Sequence, residues 1–499
     1  MSIWKKKPIK LLLAEATESE KGLKRTLTAW SLIALGIGAI IGAGLFVRTA
    51  TAAAQNAGPS VTIGFIVAAI GCALAGLCYA ELSSSIPISG SAYTYTYATM
   101  GELLAWIIGW DLILEYAVGA ATVGIAWSEY LNNLLVSVLH TSPIPYAFCH
   151  SPFQKIIDPV THQVVEHGII NLPAFFIVAI ISLLLIKGTQ ESAFVNGLIV
   201  ITKVAIVIMI IIFGWHFINP VNHENYIPKA TTYIDEHGLK YDFGGFWGII
   251  GAAGTVFFAF IGFDAVSTAA QETKNPKRDM PIGILGSLAI CTVLYILFAH
   301  VLTGLAPVEF FRTTGKEASV AHAIEAFMPG YGWLAQFVTV AILFGFTSVI
   351  LVMLLGQSRV FYSMGKDGLL PKSFSDLHPK FKTPYKANLA ILVIVGLFAA
   401  FIPGDIVGDM TSIGTLFAFI LVCISVVVLR KTEPEMKREF KTPLVPLVPI
   451  AGVLVCFLMI LGLGWANWLR LIVWLAIGLI IYFAYGKKNS VLNNPDKQD

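Results

Sequence analysis

Two glycine-rich runs and a few charges inside apolar stretches are the residues of this chain whose types and spacing could do chemistry. The first run is Gly36-Ile37-Gly38-Ala39-Ile40-Ile41-Gly42-Ala43-Gly44-Leu45-Phe46. The second is Gly251-Ala252-Ala253-Gly254-Thr255-Val256-Phe257-Phe258-Ala259-Phe260-Ile261-Gly262-Phe263-Asp264. Each glycine costs a helix roughly 1 kcal/mol relative to alanine, so a dense run weakens it. Small residues also let helices pack closely. Gly42-Ala43-Gly44, however, is small on every helix face, which favours an unwound segment. Amides freed at Gly42, Ala43 and Gly44, next to a helix N-terminus, suit an anion. Carbonyls freed near Ile40, Phe258 and Ile261, with Ala259 between them, suit an ammonium group. A ligand with both charges on one carbon is an α-amino acid.

The charges are Lys203, Asp111, Glu115 and Asp264. A lysine in mid-span costs roughly 2.5–3.5 kcal/mol on insertion scales. Two readings of Lys203 are open. Its head snorkels to the interface, or its ammonium stays buried among neighbouring helices, where it can lose and regain a proton. In the second reading its partners are carbonyls near Gly42 and the hydroxyls of Thr347 or Ser348. Asp111 and Glu115 are four apart and share a helix face. Glu115 either recognises a basic side chain, relays a proton, or joins helices through a hydrogen bond. Asp264 follows the second run and is expected to cap the helix that continues from it rather than to touch substrate.

These residues need elements to position them, and composition identifies the solvent of those elements. Of 499 residues 56% are hydrophobic and 13% charged, with mean hydropathy +0.77. Soluble domains carry about twice that charge, so a single-core soluble enzyme, a disordered scaffold and a nucleic-acid binder are disfavoured. A net charge of +3 suggests no polyanionic partner. About 20 apolar residues cross a hydrocarbon core. Twelve spans are expected, at 28–54, 60–84, 100–136, 170–187, 193–218, 244–271, 281–306, 330–363, 386–402, 409–430, 446–463 and 467–486. With the N-terminus inside, 25 of the 33 basic residues fall on the cytoplasmic side and seven, Arg48 among them, on the other. That asymmetry places both termini in the cytoplasm. Glu81 and Glu102, near cytoplasmic span ends, are expected to pair with loop cations. Tyr93, Tyr95 and Tyr97 read as part of an interfacial aromatic belt.

No phosphate loop, cofactor motif or paired catalytic constellation appears, so no enzyme activity and no cofactor are expected. The histidines of the external segments, among them His150, His162 and His223, lack the spacing of a metal site. Five of the six cysteines lie in apolar runs and imply no disulfide framework.

The two runs open spans one and six. Interrupted helices at matching places in two halves point to an inverted repeat with its site at the breaks, because lipid cannot satisfy unwound backbone. The chain is accordingly divided into a tail 1–27, five-helix repeats 28–218 and 244–430, peripheral helices 446–486 and a tail 487–499. GIGAIIGAGLF at 36–46 resembles the first-helix signature of the amino acid–polyamine–organocation superfamily. FFAFIGFDAVSTAAQETKNPKRDMPIGI at 257–284, QSRVFYSMGKDGLLPKSFSDLHPKFKTP at 357–384 and GWDLILEYAVGAATVGIAWSEYL at 109–131 are similar to its cationic amino acid transporter family. The resemblance implies an all-α membrane protein of the leucine-transporter type, with a 5+5 inverted-repeat core plus two peripheral helices. It implies a carboxylate at the amides of Ala43 and Gly44 and an amino group at the carbonyls of Ile40, Phe258 and Ile261. It also implies an aromatic gate at Phe258 and a lysine at position 203 in place of sodium. Many vertebrate members have fourteen spans against the twelve counted here, a difference confined to the C-terminal periphery.

The expected function is proton-coupled symport of an L-amino acid across the plasma membrane by alternating access. An exchanger or uniporter on the same fold, and a non-transporting amino acid receptor, are the alternatives. The expected partners are the amino acid, a proton and the lipid bilayer, with no nucleic acid; no residue identifies a small membrane subunit.

Overall fold

Thr28 opens the first helix: its hydroxyl accepts the Ser31 amide at 3.4 Å, and α1 (Ala29–Ile40) follows. In this computed structural model, residues 2–9, 11–12, 27–86, 90–157, 164–188, 193–234, 240–313 and 319–494 are described. Most of tail 1–27, residues 495–499 and His162 lie outside them. After α1 come α2 (43–57), α3 (Val61–Ser85), α4 (Ser91–Thr99), α5 (Glu102–Val138), α6 (Leu172–Lys187) and α7 (Ala193–Gly214). The second half runs through α8 (Gly245–Phe257), α9 (Asp264–Glu272, a 3-10 helix), α10 (Pro276–Leu305), α11 (Gly332–Lys366), α12 (Tyr385–Phe401) and α13 (Gly404–Thr432). Finally come α14 (Leu447–Gly462) and α15 (Trp465–Ile481).

Among the described residues, eight helices are long and apolar enough to cross a membrane. Four more, α1, α6, α12 and α14, are apolar but shorter. Together they occupy the positions of the expected spans. The segments between α5 and α6 and between α7 and α8 carry two-stranded antiparallel hairpins, Lys155–Ile157 with Val164–His167 and Thr231–Ile234 with Lys240–Phe243.

The two halves pack reciprocally. α1 lies on α10, α8 lies on α3, and α3 and α10 lie on each other. Glycines allow the close approaches: a Cβ on Gly283 would come within 2.6 Å of Leu32 Cβ, and one on Gly64 within 3.2 Å of Ala252 Cβ.

The stretch between α3 and α5 differs from the sequence expectation. It contains α4, and Tyr93, Tyr95 and Tyr97 are buried in it rather than lying in an interfacial belt. The Tyr93 hydroxyl donates to Asp367 Oδ2 at 2.6 Å and Tyr97 to Glu102 Oε2 at 3.0 Å. Aromatic residues near a span end suggest an interfacial belt, but every residue of α4 is buried against its neighbours. Glu102 also departs from expectation. It accepts from Tyr97, Tyr482, Ser490 and Asn493 instead of pairing with a cation. Glu81 pairs as anticipated, with Arg430 at 2.7 Å and Arg438 at 3.3 Å.

Candidate functional site

α1 stops at Ile40 because Ile41 leaves the helical region (φ −73°, ψ 103°), and helix resumes at Ala43. The amides of Leu45 and Phe46 donate to the Gly42 carbonyl at 3.2 and 3.4 Å. The amides of Ala43 and Gly44 are then first-turn donors, which have no acceptor within their own helix. The second break follows Phe258–Phe260, where Ile261 becomes extended (ψ 136°) and Gly262 takes φ +110°. Only glycine adopts that conformation without strain.

The two breaks touch. A Cβ on Gly262 would stand 3.0 Å from both Cβ and O of Ala39. One on Gly44 would overlap Ala259 Cα and lie 2.5 Å from Ala259 N. Unwound backbone from both halves therefore meets within the bundle, where Ile40, Ala43, Gly44, Phe258, Ala259 and Ile261 are all buried. Of the three candidate carbonyls, Phe258 O accepts the Ile261 amide at 3.3 Å. Ile40 O receives the hydroxyl of Tyr295 at 2.9 Å, and the same hydroxyl lies 3.0 Å from Ala259 O. A carbonyl oxygen has two lone pairs, so each keeps capacity for a ligand.

Tyr295 was not legible in the sequence. It stands in the apolar run of α10, 255 residues from Ile40, and no spacing marks it. Its ring packs against Phe65 and Phe260, with centroids 5.6 and 5.3 Å away. One phenol thus ties both broken helices to α10.

Lys203 on α7 is buried and does not snorkel. Its ammonium donates to Gly38 O at 2.8 Å, two residues before the end of α1. Its stem crosses Gly345 of α11, where an added Cβ would meet Cε at 2.9 Å. The lysine thereby joins α7, α1 and α11. Thr347 donates back to Leu343 O at 2.8 Å, and Ser348 Oγ, also buried, has no hydrogen-bond partner among the described residues.

Glu115 lies on a π-helical turn, Ile113–Val118, within α5, a distortion frequent at functional sites. It is fully buried beside Asp264, with Asp111 near. Neither oxygen of Glu115 is reached by an N–H or O–H donor among the described residues. Two ionised carboxylates side by side repel. Asp264 accepts the Tyr116 hydroxyl, and the amides of Asp264 and Ala265 face its carboxylate; it is the first residue of α9 rather than its cap, which is Phe263, so the expected capping bond does not form. Asp111 is buried against Gly414 of α13, with no hydrogen-bond donor among the described residues. No salt bridge reaches Asp111, Glu115 or Asp264 among the described residues.

On the far side of the breaks from the termini, Arg48 corrects another expectation. It was counted with the external surface charges but is 2% exposed. Its guanidinium pairs with Asp409 of α13, Asn467 of α15 donates to the other Asp409 oxygen at 3.2 Å, and Arg470 follows on Asn467. Gly408 gives it room, since a Cβ there would stand 3.2 Å from the guanidinium carbon. Outside the membrane-spanning helices, His150 Nε2 lies 2.9 Å from Glu129, and its ring stacks on Tyr146 at 3.8 Å. Burial alone would lower the His150 pKa, but bonds to Cys149 and Glu129 and the Glu129 charge push it up to about 11.

Residues 27–481 match the protein family described as amino acid permease. The chain is 44% identical to the branched-chain amino acid permease BcaP of Bacillus subtilis (strain 168), over 99% of both chains. It is 41% identical to the methylthioribose transporter of the same organism, again over 99% of both. It is 34% identical to the vacuolar cationic amino acid transporter 2 of Arabidopsis thaliana, over 83% of this chain and 61% of that one.

Proposed function

Because the chain belongs to the amino acid permease family, we propose that it carries an L-amino acid with a branched apolar side chain across the plasma membrane by proton-coupled alternating access. The contact between two helix breaks carries this reading. Backbone freed inside a bundle persists only where it lines a cavity, and here the first break offers amides and the Ile40 carbonyl, and the second offers carbonyls. The substrate carboxylate sits on the amides of Gly42, Ala43 and Gly44. Its ammonium sits on the carbonyls of Ile40, Phe258 and Ile261, with Ala259 beneath and the Phe258 ring as gate. Twelve spans in a 5+5 inverted repeat, with both termini cytoplasmic, are the architecture this requires; the reciprocal packing of α1 on α10 and α8 on α3 supports it. Two relatives named as branched-chain permeases, at 44% and 32% identity, favour an apolar side chain over a basic one.

The proton moves through Lys203 and Glu115. Lys203 holds α1 to α7 while protonated, and Glu115 shares a proton with Asp264 at the second break. Loss of either proton leaves an unbalanced buried charge or acceptor, which ties protonation to helix position. Purified protein in proteoliposomes tests this. Net uptake of leucine into empty vesicles should follow an imposed inward proton gradient; exchange only with preloaded vesicles would assign it as an exchanger instead.

The 41% identity to a methylthioribose transporter supports a second reading. A neutral thiosugar has neither carboxylate nor ammonium, so it would leave the freed backbone to its hydroxyls. Thermal-shift screening against the twenty amino acids and methylthioribose separates the two.

A further inference from the structure

The mouth of α10 holds a groove that the transport site does not use. It has about 550 Å³ of space and is lined by Lys277, Arg278, Ile282, Leu285, Glu439 and Phe440, among others. It opens on the face where the chain enters α1, since the Lys274 amide donates to Leu27 O at 2.9 Å and Leu27 bridges to Thr273. Basic groups stand at one end of it. Lys277 and Lys437 flank Glu439 at 3.3 and 3.4 Å, and Arg278 adds a further cation. Of the charged residues that line the groove, two are basic, Lys277 and Arg278, and one, Glu439, is acidic and already shared with Lys437.

From that mouth an apolar stripe runs along α10. Ile282, Ile290, Val293 and Leu297 are each more than a third exposed, and their spacing of three, four and eight puts them on one helix face. From 282 to 297 the stripe is about 22 Å long at 1.5 Å per residue, longer than one leaflet of a hydrocarbon core about 30 Å thick, so it follows an acyl chain through the whole of its own leaflet. Gly286 keeps the wall low, next to Ile33 of α1. A basic end, an apolar stripe at least one leaflet deep and a position at the membrane surface describe one ligand. We propose that the groove binds an anionic glycerophospholipid, its phosphate against Lys277 and Arg278 and an acyl chain along Ile282, Leu285 and Ile290. Glu439 competes with the phosphate for Lys277. Ile33, which packs at Gly286, belongs to the half of the first span that ends at the substrate break.

This inference rests on the membrane orientation proposed above. Its test uses the full chain in detergent, so its failure is separable from a failure of transport. Phosphatidylglycerol, phosphatidylcholine and glycerol phosphate are titrated separately, with native mass spectrometry counting retained lipid and thermal unfolding reporting stabilisation. Phosphatidylglycerol should be retained and stabilise, and the other two should not. Lys277→Gln with Arg278→Gln should weaken retention roughly thirtyfold, at about fivefold per basic residue. Glu439→Gln should strengthen it severalfold, a gain that a misfolded variant could not show. Lys372→Gln with Lys380→Gln, which removes the same charge elsewhere, should change nothing. Equal retention of phosphatidylcholine, equal stabilisation by glycerol phosphate, or an equal loss in the control pair would overturn the proposal.

Discussion

A methyl group added at Gly44 would enter the place where the two breaks meet. The Cβ of Gly44→Ala would overlap Ala259 Cα and stand 2.5 Å from its N and 2.8 Å from its Cβ. Ordinary contact begins near 3.4 Å, so the breaks must separate by roughly 1 Å. Two of the three atoms met are backbone, and Ala259 O is held by Tyr295 at 3.0 Å, so no side-chain rotation relieves the overlap. Overpacking of this kind costs about 1–3 kcal/mol of stability. A 1 Å misplacement of binding groups can cost about a hundredfold in function. Isothermal titration of leucine into purified protein should therefore show Kd raised about a hundredfold, about 2.7 kcal/mol, with proteoliposome uptake falling in parallel. Adding Ala259→Gly removes only the Cβ contact and should restore little. Wild-type affinity in Gly44→Ala, or full recovery in the double variant, would refute the break-to-break contact as the basis of the site.

Lys203→Met removes the ammonium and leaves Gly38 O unpaired, costing about 1–3 kcal/mol; gradient-driven accumulation should vanish while substrate counterflow survives, and unchanged accumulation would contradict the role of Lys203. Glu115→Gln should flatten the pH dependence of uptake, measured from pH 5 to 8; an unaltered profile would remove Glu115 from the proton path. Arg48→Gln leaves Asp409 buried beside Asn467 without its cation, at a cost of about 3–5 kcal/mol. Thermal unfolding should drop accordingly, and Asp409→Asn in the same chain should recover part of the loss. His150, with its pKa raised to about 11, stabilises the fold fully below its unfolded value of about 6.5 and loses that contribution as pH rises toward 11. The stability advantage of wild type over His150→Gln should shrink steadily from pH 7 to 10; a constant advantage would show that charge is not its source.

The breaks were legible because glycine acts locally. Gly42 and Gly262 stand where α1 and α8 give way to non-helical backbone, and the cost of glycine in a helix needs no knowledge of neighbours. Lys203 was legible too, because a cation amid Ile and Val has few places to go. Arg48 was misjudged for a related reason: seven residues from an apolar centre, it reads as a span-end charge, and only Asp409 on α13 makes it an interior one. Tyr93 and Tyr97 were misjudged because a phenol looks the same at an interface as beneath Asp367 or Glu102.

Composition and period, which are local properties, determined the membrane class, the positions of the spans and the two weakened helices. Which residues meet across those helices is a property of packing. Tyr116 reaches Asp264 across 148 positions, Lys203 reaches Gly38 across 165 and Tyr295 reaches Ile40 across 255. An apolar run specifies that a helix forms but not which of its few polar groups faces which neighbour. In a bilayer freed backbone groups are satisfied only within the protein, so the tertiary structure made the pairings of Lys203 with Gly38 and of Tyr295 with Ile40, and with them the chemistry of the site.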